Sequence, residues 1–135
     1  YTYLLNSEEF ESYEKEDFLK IVERRGNSAD YEGSIEMLSE YLYRYHKERV
    51  VILIDEYDTP IHSAYGKFYD NVISFMRNLL SGAYKDNSYL YKGVITGILR
   101  VSKESIFSGL NNLSVFSILN EEFSDKFGFT EAEVK

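Results

Sequence analysis

Val50-Val51-Ile52-Leu53-Ile54-Asp55-Glu56-Tyr57-Asp58 decides the reading of this chain, because five aliphatic residues run directly into two adjacent carboxylates. An apolar run of this length without polar alternation predicts a strand buried on both faces, as parallel strands are between helix layers. Ligands of open α/β sheets gather beyond the carboxyl ends of the strands, so Asp55 and Glu56 fall where a metal-bound phosphate and an attacking water can be handled. This is the pattern of a Walker B strand. Mg2+ prefers oxygen ligands, keeps several waters and usually takes one or two protein carboxylates, which suits Asp55 as its direct or water-mediated partner. Glu56 is then placed to orient or deprotonate the water. The plainer alternative is that a buried strand must end somewhere and that Asp and Glu are ordinary loop entrants.

Spacing separates this pattern from its rivals. A phosphotransferase of the haloacid dehalogenase type needs two aspartates one residue apart after the strand, whereas two residues separate Asp55 from Asp58. Asp58 therefore points elsewhere. It also opens Asp58-Thr59-Pro60, which contains the chain's single proline, so residues 57–61 read as a turn and Asp58 as a turn or capping residue. A phosphate-cradling loop of the form G-x-x-x-x-G-K-[ST] is absent from the sequence. Its nearest approach, Gly66-Lys67, has Ile61 at the first glycine position and Phe68 at the hydroxyl position, and reads as a loop before a helix.

Moving outward from the motif, residues 7–24 read as an acidic amphipathic helix with Ser7 as N-cap and Phe10, Tyr13, Phe18, Ile21 and Val22 near one face. Arg24-Arg25-Gly26 closes it in the usual way of cations followed by glycine. After a polar break, a second helix over 34–48 carries Ile35, Leu38, Leu42 and Tyr45 in a stripe, with His46 near its end as a dipole partner. A third, over 66–81, spaces Phe68, Val72, Phe75, Met76 and Leu79 for burial and ends at Gly82. Residues 90–95 return as a strand. A crossover of this length predicts that the 50–54 and 90–95 strands are parallel, which brings Thr96 level with Asp55.

Thr96 is thus a candidate sensor of a nucleotide's terminal phosphate, or simply a threonine that satisfies a strand end. Arg100 and Lys103 follow within a few residues. Arg100 can stabilise charge on a transferring phosphoryl group, or pair with a surface carboxylate such as Glu104. His62 is the better placed of the two histidines, although the sequence supplies it with no evident partner. A short strand near 114–119 and a Thr130-led helix with Glu131 and Glu133 in its first turn complete the pattern.

Composition bounds the function further. With 135 residues, 44% of them hydrophobic, the chain is one domain or part of one and has material for a real core. A net charge of -8 argues against a broad nucleic-acid or anionic-membrane surface, since both demand clustered cations, and leaves a local basic site open. Cysteine is absent, so disulfides, thiol nucleophiles and Cys-rich zinc sites are excluded. No signal peptide and no 18-residue apolar run is visible, and the expected location is cytoplasmic.

Four stretches together resemble the predicted AAA-ATPase-like proteins, a P-loop NTPase group common in bacteria and anaerobes. They are residues 50–61 (VVILIDEYDTPI), 93–97 (GVITG), 102–113 (SKESIFSGLNNL) and 128–134 (GFTEAEV), in the family's order. The resemblance is clear from about residue 40 onward and weak over the first 30. It implies a partial P-loop NTPase-like three-layer α/β/α domain with a parallel sheet over residues 1–135, comprising a helical lead-in (1–48) and the strand-bearing remainder (49–135). It implies ATP and Mg2+ as ligands of the parent protein, Asp55 as the metal-side carboxylate and Glu56 as the water-activating one. Members usually carry a phosphate loop upstream and often an attached PD-(D/E)XK nuclease-like domain, neither of which this sequence contains. The strand leading to that loop would lie beside residues 90–95, so the resemblance predicts an open edge there and self-association through it unless another strand fills the gap.

Two readings follow. One is the core of an ATP-hydrolysing domain, incompetent alone without its phosphate loop. The other is a non-catalytic interaction module on the same scaffold. A nuclease acting through Asp55 and Glu56 fits less well, because no basic stripe accompanies them.

Overall fold

The computed structural model describes residues 2–85, 87–98, 106–107, 110, 113–117, 119–123 and 128–135. Its centre is a parallel pair of strands, β1 (Val50–Ile54) and β2 (Leu90–Ile95), in an α/β fold. Both strands have the bounds and direction expected from the sequence. Val50 pairs with Leu90, Leu53 with Val94 and Ile54 with Ile95, with one irregularity between Val50 and Val51. That register sets Asp55 and Thr96 at the same end of the pair.

The helices that hold this end run in chain order. A 3-10 turn (Thr2–Asn6) leads into α1 (Ser12–Val22), α2 (Ser28–Glu32) and α3 (Ser34–His46), and α4 (Thr59–Ala64) and α5 (Tyr69–Tyr84) cross between the strands. A 3-10 turn at Glu121–Phe123 and α6 (Glu131–Val134) follow. Ile73, Met76, Leu80, Ala83 and Tyr84 of α5 are buried with Ile52, and Val50, Ile54, Leu90 and Ile95 pack against them. Gly93 lets α5 approach β2 closely: a Cβ there would lie 2.2 Å from the Tyr84 ring, whose hydroxyl reaches the Val94 carbonyl at 3.4 Å. Burial pushes the Tyr84 phenol up to about 12.

The expectation of a strand buried on both faces is corrected. Val51 is 55% and Leu53 72% exposed, and Val94, opposite Leu53, is 43% exposed. Period-two alternation puts these three on one face, and among the described residues helices cover only the other. An aliphatic run records that both faces are apolar; whether both are covered depends on what packs there. Beside β1, the Ile35, Leu38 and Leu42 stripe of α3 lines a groove of about 250 Å3.

A second, smaller core joins the N-terminal turn to α1 and α3 through Leu4, Phe10, Phe18 and Tyr41. Arg44 of α3 fastens it. Its guanidinium pairs with Glu14, donates to the Glu9 carbonyl and lies 4.8 Å from the centre of the Phe10 ring. The Tyr41 hydroxyl donates to the Glu14 carbonyl at 3.2 Å, and burial pushes its phenol up to about 12. Phe10 and Phe18 are buried as the amphipathic pattern requires, but Tyr13 and Val22 are exposed.

Several boundaries differ from the sequence expectation for local reasons. Ser7 does not cap α1; its hydroxyl accepts from the Glu9 N–H at 3.1 Å, and α1 starts after Glu11, whose N–H donates to Glu14 at 2.8 Å. At the other end Arg24, not Gly26, takes the left-handed conformation, with φ of 59°. The polar break contains α2, which Asn27 caps by accepting from the Asp30 N–H at 3.2 Å. Residues 59–61 are not a turn but the start of α4, where Pro60 occupies a first-turn position that needs no N–H donor. Gly82 does not end α5, because Ala83 and Tyr84 beyond it are buried. His46 meets the Tyr3 hydroxyl at 2.9 Å. Residues 113–117 and 119 form no strand. Thr130 does open α6, its N–H donating to Glu133 at 2.8 Å and holding that carboxyl below its ordinary range. Among the described residues no helix is long and apolar enough to cross a membrane.

Candidate functional site

The two strand ends meet through a small set of hydrogen bonds. The Thr96 N–H donates to the Ile54 carbonyl at 2.9 Å, and the Tyr57 N–H to the Thr96 carbonyl at 3.1 Å. This continuation of the parallel pairing carries Thr96 alongside Asp55, and the Thr96 hydroxyl donates to Asp55 Oδ1. The Glu56 N–H also donates to Asp55 Oδ1, at 3.0 Å, and approaches Thr96 Oγ1 at 3.4 Å. One carboxylate oxygen of Asp55 is thereby fixed by two donors. All three side chains lie on the exposed end of the sheet.

Glu56 adopts φ of 52°, the left-handed conformation that an L-residue enters at a cost of about 1 kcal/mol. This turns the chain sharply from β1 into α4, whose first backbone bond runs from the His62 N–H to the Asp58 carbonyl at 2.9 Å. Neighbouring carboxylates that would have alternated sides on a continuing strand are instead carried on a tight bend.

Asp58 is where sequence reasoning fell short. It stands at the N-cap position of α4 but makes no side-chain cap bond, its backbone being already helical at φ -84° and ψ -14°. The side chain is buried and accepts from the Ile98 N–H at 3.1 Å and meets His62 Nε2 at 3.2 Å. His62 therefore has a partner after all. Its spacing of four from Asp58 was the available signal, since such residues are neighbours on a helix; reading 57–61 as a turn concealed it. Tyr57 is buried beside Asp58, its ring 5.1 Å from that of Phe107. Gly97 fits against both: a Cβ would lie 2.6 Å from the Tyr57 ring and 2.9 Å from Asp58 Oδ1.

The remaining candidates divide plainly. Asp55, Glu56 and Thr96 come together as the spacing requires, while Arg100 and Lys103 lie outside the described residues, as does most of the 102–112 stretch. Among the described residues no three His, Asp or Glu side chains converge to hold a metal. The donor set at the strand end is one carboxylate and one hydroxyl, all hard oxygen, which fits Mg2+ completing its octahedron with water and phosphate and does not fit a closed zinc site.

Against known families, residues 3–107 match the model described as Predicted AAA-ATPase. The chain belongs to this AAA-ATPase-like family. The match includes both strands and the Asp55–Thr96 end. A curated relative of the AAA-ATPase-like chain, "Uncharacterized protein in vnfD 5'region" of Azotobacter chroococcum mcd 1, is 36% identical over 89 residues, covering 64% of this chain. The aligned part is 17% of that relative's own length. No solved structure matches.

Proposed function

We propose that these residues form part of an ATP-binding and ATP-hydrolysing site, with Asp55 on the Mg2+ side, Glu56 orienting the attacking water and Thr96 reporting the terminal phosphate. The supporting observation is the Thr96 hydroxyl on Asp55 Oδ1, which joins an acidic strand end to its parallel neighbour at the position where such sheets bind ligands. Bound Mg2+ would neutralise charge on the phosphate oxygens. Asp55 contributes its second carboxylate oxygen, which accepts no hydrogen bond among the described residues. Glu56 follows Asp55 on the left-handed bend, and its exposed carboxylate is the group proposed to accept a proton from water. Arg100 is proposed to meet the phosphoryl charge. The sequence has no G-x-x-x-x-G-K-[ST] loop to cradle phosphate, so the hydrolysis proposed here is that of a longer protein which supplies one.

The same reading includes a second copy of the chain as partner. Among the described residues the sheet has two strands and none pairs with the outer edge of β2, which adjoins an exposed apolar face, the combination that promotes strand-to-strand association.

Titration of the chain with a fluorescent ATP analogue, with and without Mg2+, tests the site. Mg2+-dependent binding that disappears in Asp55→Ala is the expected result. Mg2+-dependent binding that survives the substitution overturns the role given to Asp55.

A further inference from the structure

We infer that Asp58 is a positioning residue that holds the 96–98 segment in place and so keeps the Thr96 hydroxyl on Asp55. The inference rests on the ATPase reading for its functional meaning and on geometry for its substance. Thr96, Gly97 and Ile98 are all exposed, Ile98 at 86%, so no side chain of this segment is anchored by burial. Backbone hydrogen bonds must hold it. Two of them join Thr96 to Ile54 and Tyr57, and the next is the Ile98 N–H donated to Asp58 Oδ2.

Local helix chemistry does not account for Asp58. A capping aspartate turns its carboxylate back onto the first-turn N–H groups of its own helix, and Asp58 makes no such bond. It reaches across to the neighbouring strand end instead, at 1% exposure. Burying a carboxylate costs several kcal/mol unless hydrogen bonds and charge compensate, and here the Ile98 N–H and His62 serve as compensating partners. Gly97 completes the grip. With no Cβ, its backbone lies against the Tyr57 ring and Asp58 Oδ1, so the Tyr57-Asp58 turn clasps the backbone on both sides of residue 97. His62, half exposed on α4, shares Asp58 Oδ2 with Ile98, which ties α4 to the same clasp.

The test uses the 15N- and methyl-labelled chain, comparing wild type with Asp58→Ala and the isosteric Asp58→Asn. Loss of a hydrogen bond to a charged acceptor should speed exchange of the Ile98 amide by roughly ten- to hundredfold in Asp58→Ala. The Thr96 methyl resonance should move as well, while amides in the middle of α5 keep their relative protection. Asp58→Asn retains an acceptor of the same shape and should show a smaller rise in Ile98 exchange with a partial Thr96 shift. Should Asp58→Ala not fold, Asp58→Asn decides alone. A folded variant with unchanged Ile98 exchange and unchanged Thr96 resonance overturns the inference. Mg2+-dependent nucleotide binding, measured in a longer protein that carries a phosphate-binding loop, separates the two readings: wild-type protein that binds none there counts against the ATPase reading of this segment, while the Ile98 and Thr96 comparison still judges Asp58.

Discussion

Replacing Gly97 with alanine adds one methyl group at the point where the two strand ends are clasped. Its Cβ would stand 2.6 and 2.7 Å from carbons of the Tyr57 ring and 2.9 Å from Asp58 Oδ1. Carbon atoms pack best at about 3.5–4.0 Å, so either the ring or the 96–98 backbone must move by about 1 Å. Tyr57 and Asp58 are both buried, which leaves the exposed segment as the part that yields. Overpacking of this kind costs about 1–3 kcal/mol, and the reduced freedom of the unfolded alanine chain returns up to about 1 kcal/mol. The expected net loss is about 1–2 kcal/mol, lowering the urea midpoint by about 1 M for a chain of this size. Urea unfolding followed by far-UV circular dichroism and tyrosine fluorescence measures it; the chain has no tryptophan to interfere. The displacement should also lengthen the Thr96–Asp55 contact and weaken Mg2+-dependent nucleotide binding. A Gly97→Ala protein as stable as wild type, with its Thr96 resonance unmoved, would refute the packing argument.

Gly82→Ala is the matched opposite: inside a helix, the new Cβ would stand at ordinary contact distance from Glu36 Oε2 (3.4 Å), the Glu32 carbonyl (3.8 Å) and Glu36 Cβ (3.9 Å), so a gain of about 0.5–1 kcal/mol should appear in the same urea assay. Glu56→Gln, placed in a longer protein that carries a phosphate-binding loop, should abolish phosphate release while nucleotide still binds; undiminished release would exclude Glu56 as the water-orienting group. Arg44→Ala should cost about 2 kcal/mol at pH 7 through loss of the Glu14 pair. The guanidinium hydrogen bond holds the Glu14 carboxyl below its ordinary 4.5, so that stabilisation is present above 4.5 and fades as pH falls through the lower folded value. Urea midpoints at descending pH should therefore show the wild-type advantage shrinking, and a constant advantage would count against the pair. Sedimentation velocity should show concentration-dependent association of the wild-type chain and a shift toward monomer in Val94→Lys, which charges the exposed face beside the β2 edge; a wild-type chain that stays monomeric at high concentration rules the association out.

The strands were legible because five aliphatics ending in Asp55-Glu56 and the second apolar run at 90–95 leave little freedom of assignment. The crossover length then made their direction and the meeting of Asp55 with Thr96 inferable without coordinates. What escaped was governed by local competition. Ser7 could cap, but a bond to its own neighbour was available, so Glu11 and Glu14 start α1 instead. Gly82 could terminate, but the buried Ala83 and Tyr84 keep α5 helical beyond it. Pro60 could mark a turn, but the first turn of a helix suits it equally, and α4 follows. The role of Asp58 was illegible for a different reason: its partner, the Ile98 N–H, is a backbone group forty residues away, and backbone donors carry no sequence signature.

The left-handed backbone of Glu56 sets stability against chemistry at a single codon. Glycine or asparagine would occupy that conformation with less strain, so either should raise the melting temperature while deleting the carboxylate proposed to handle water. Selection for heat resistance alone would therefore drift toward those residues and discard the proposed catalyst, whereas selection that retains glutamate here must draw its stabilising changes from positions such as Gly82.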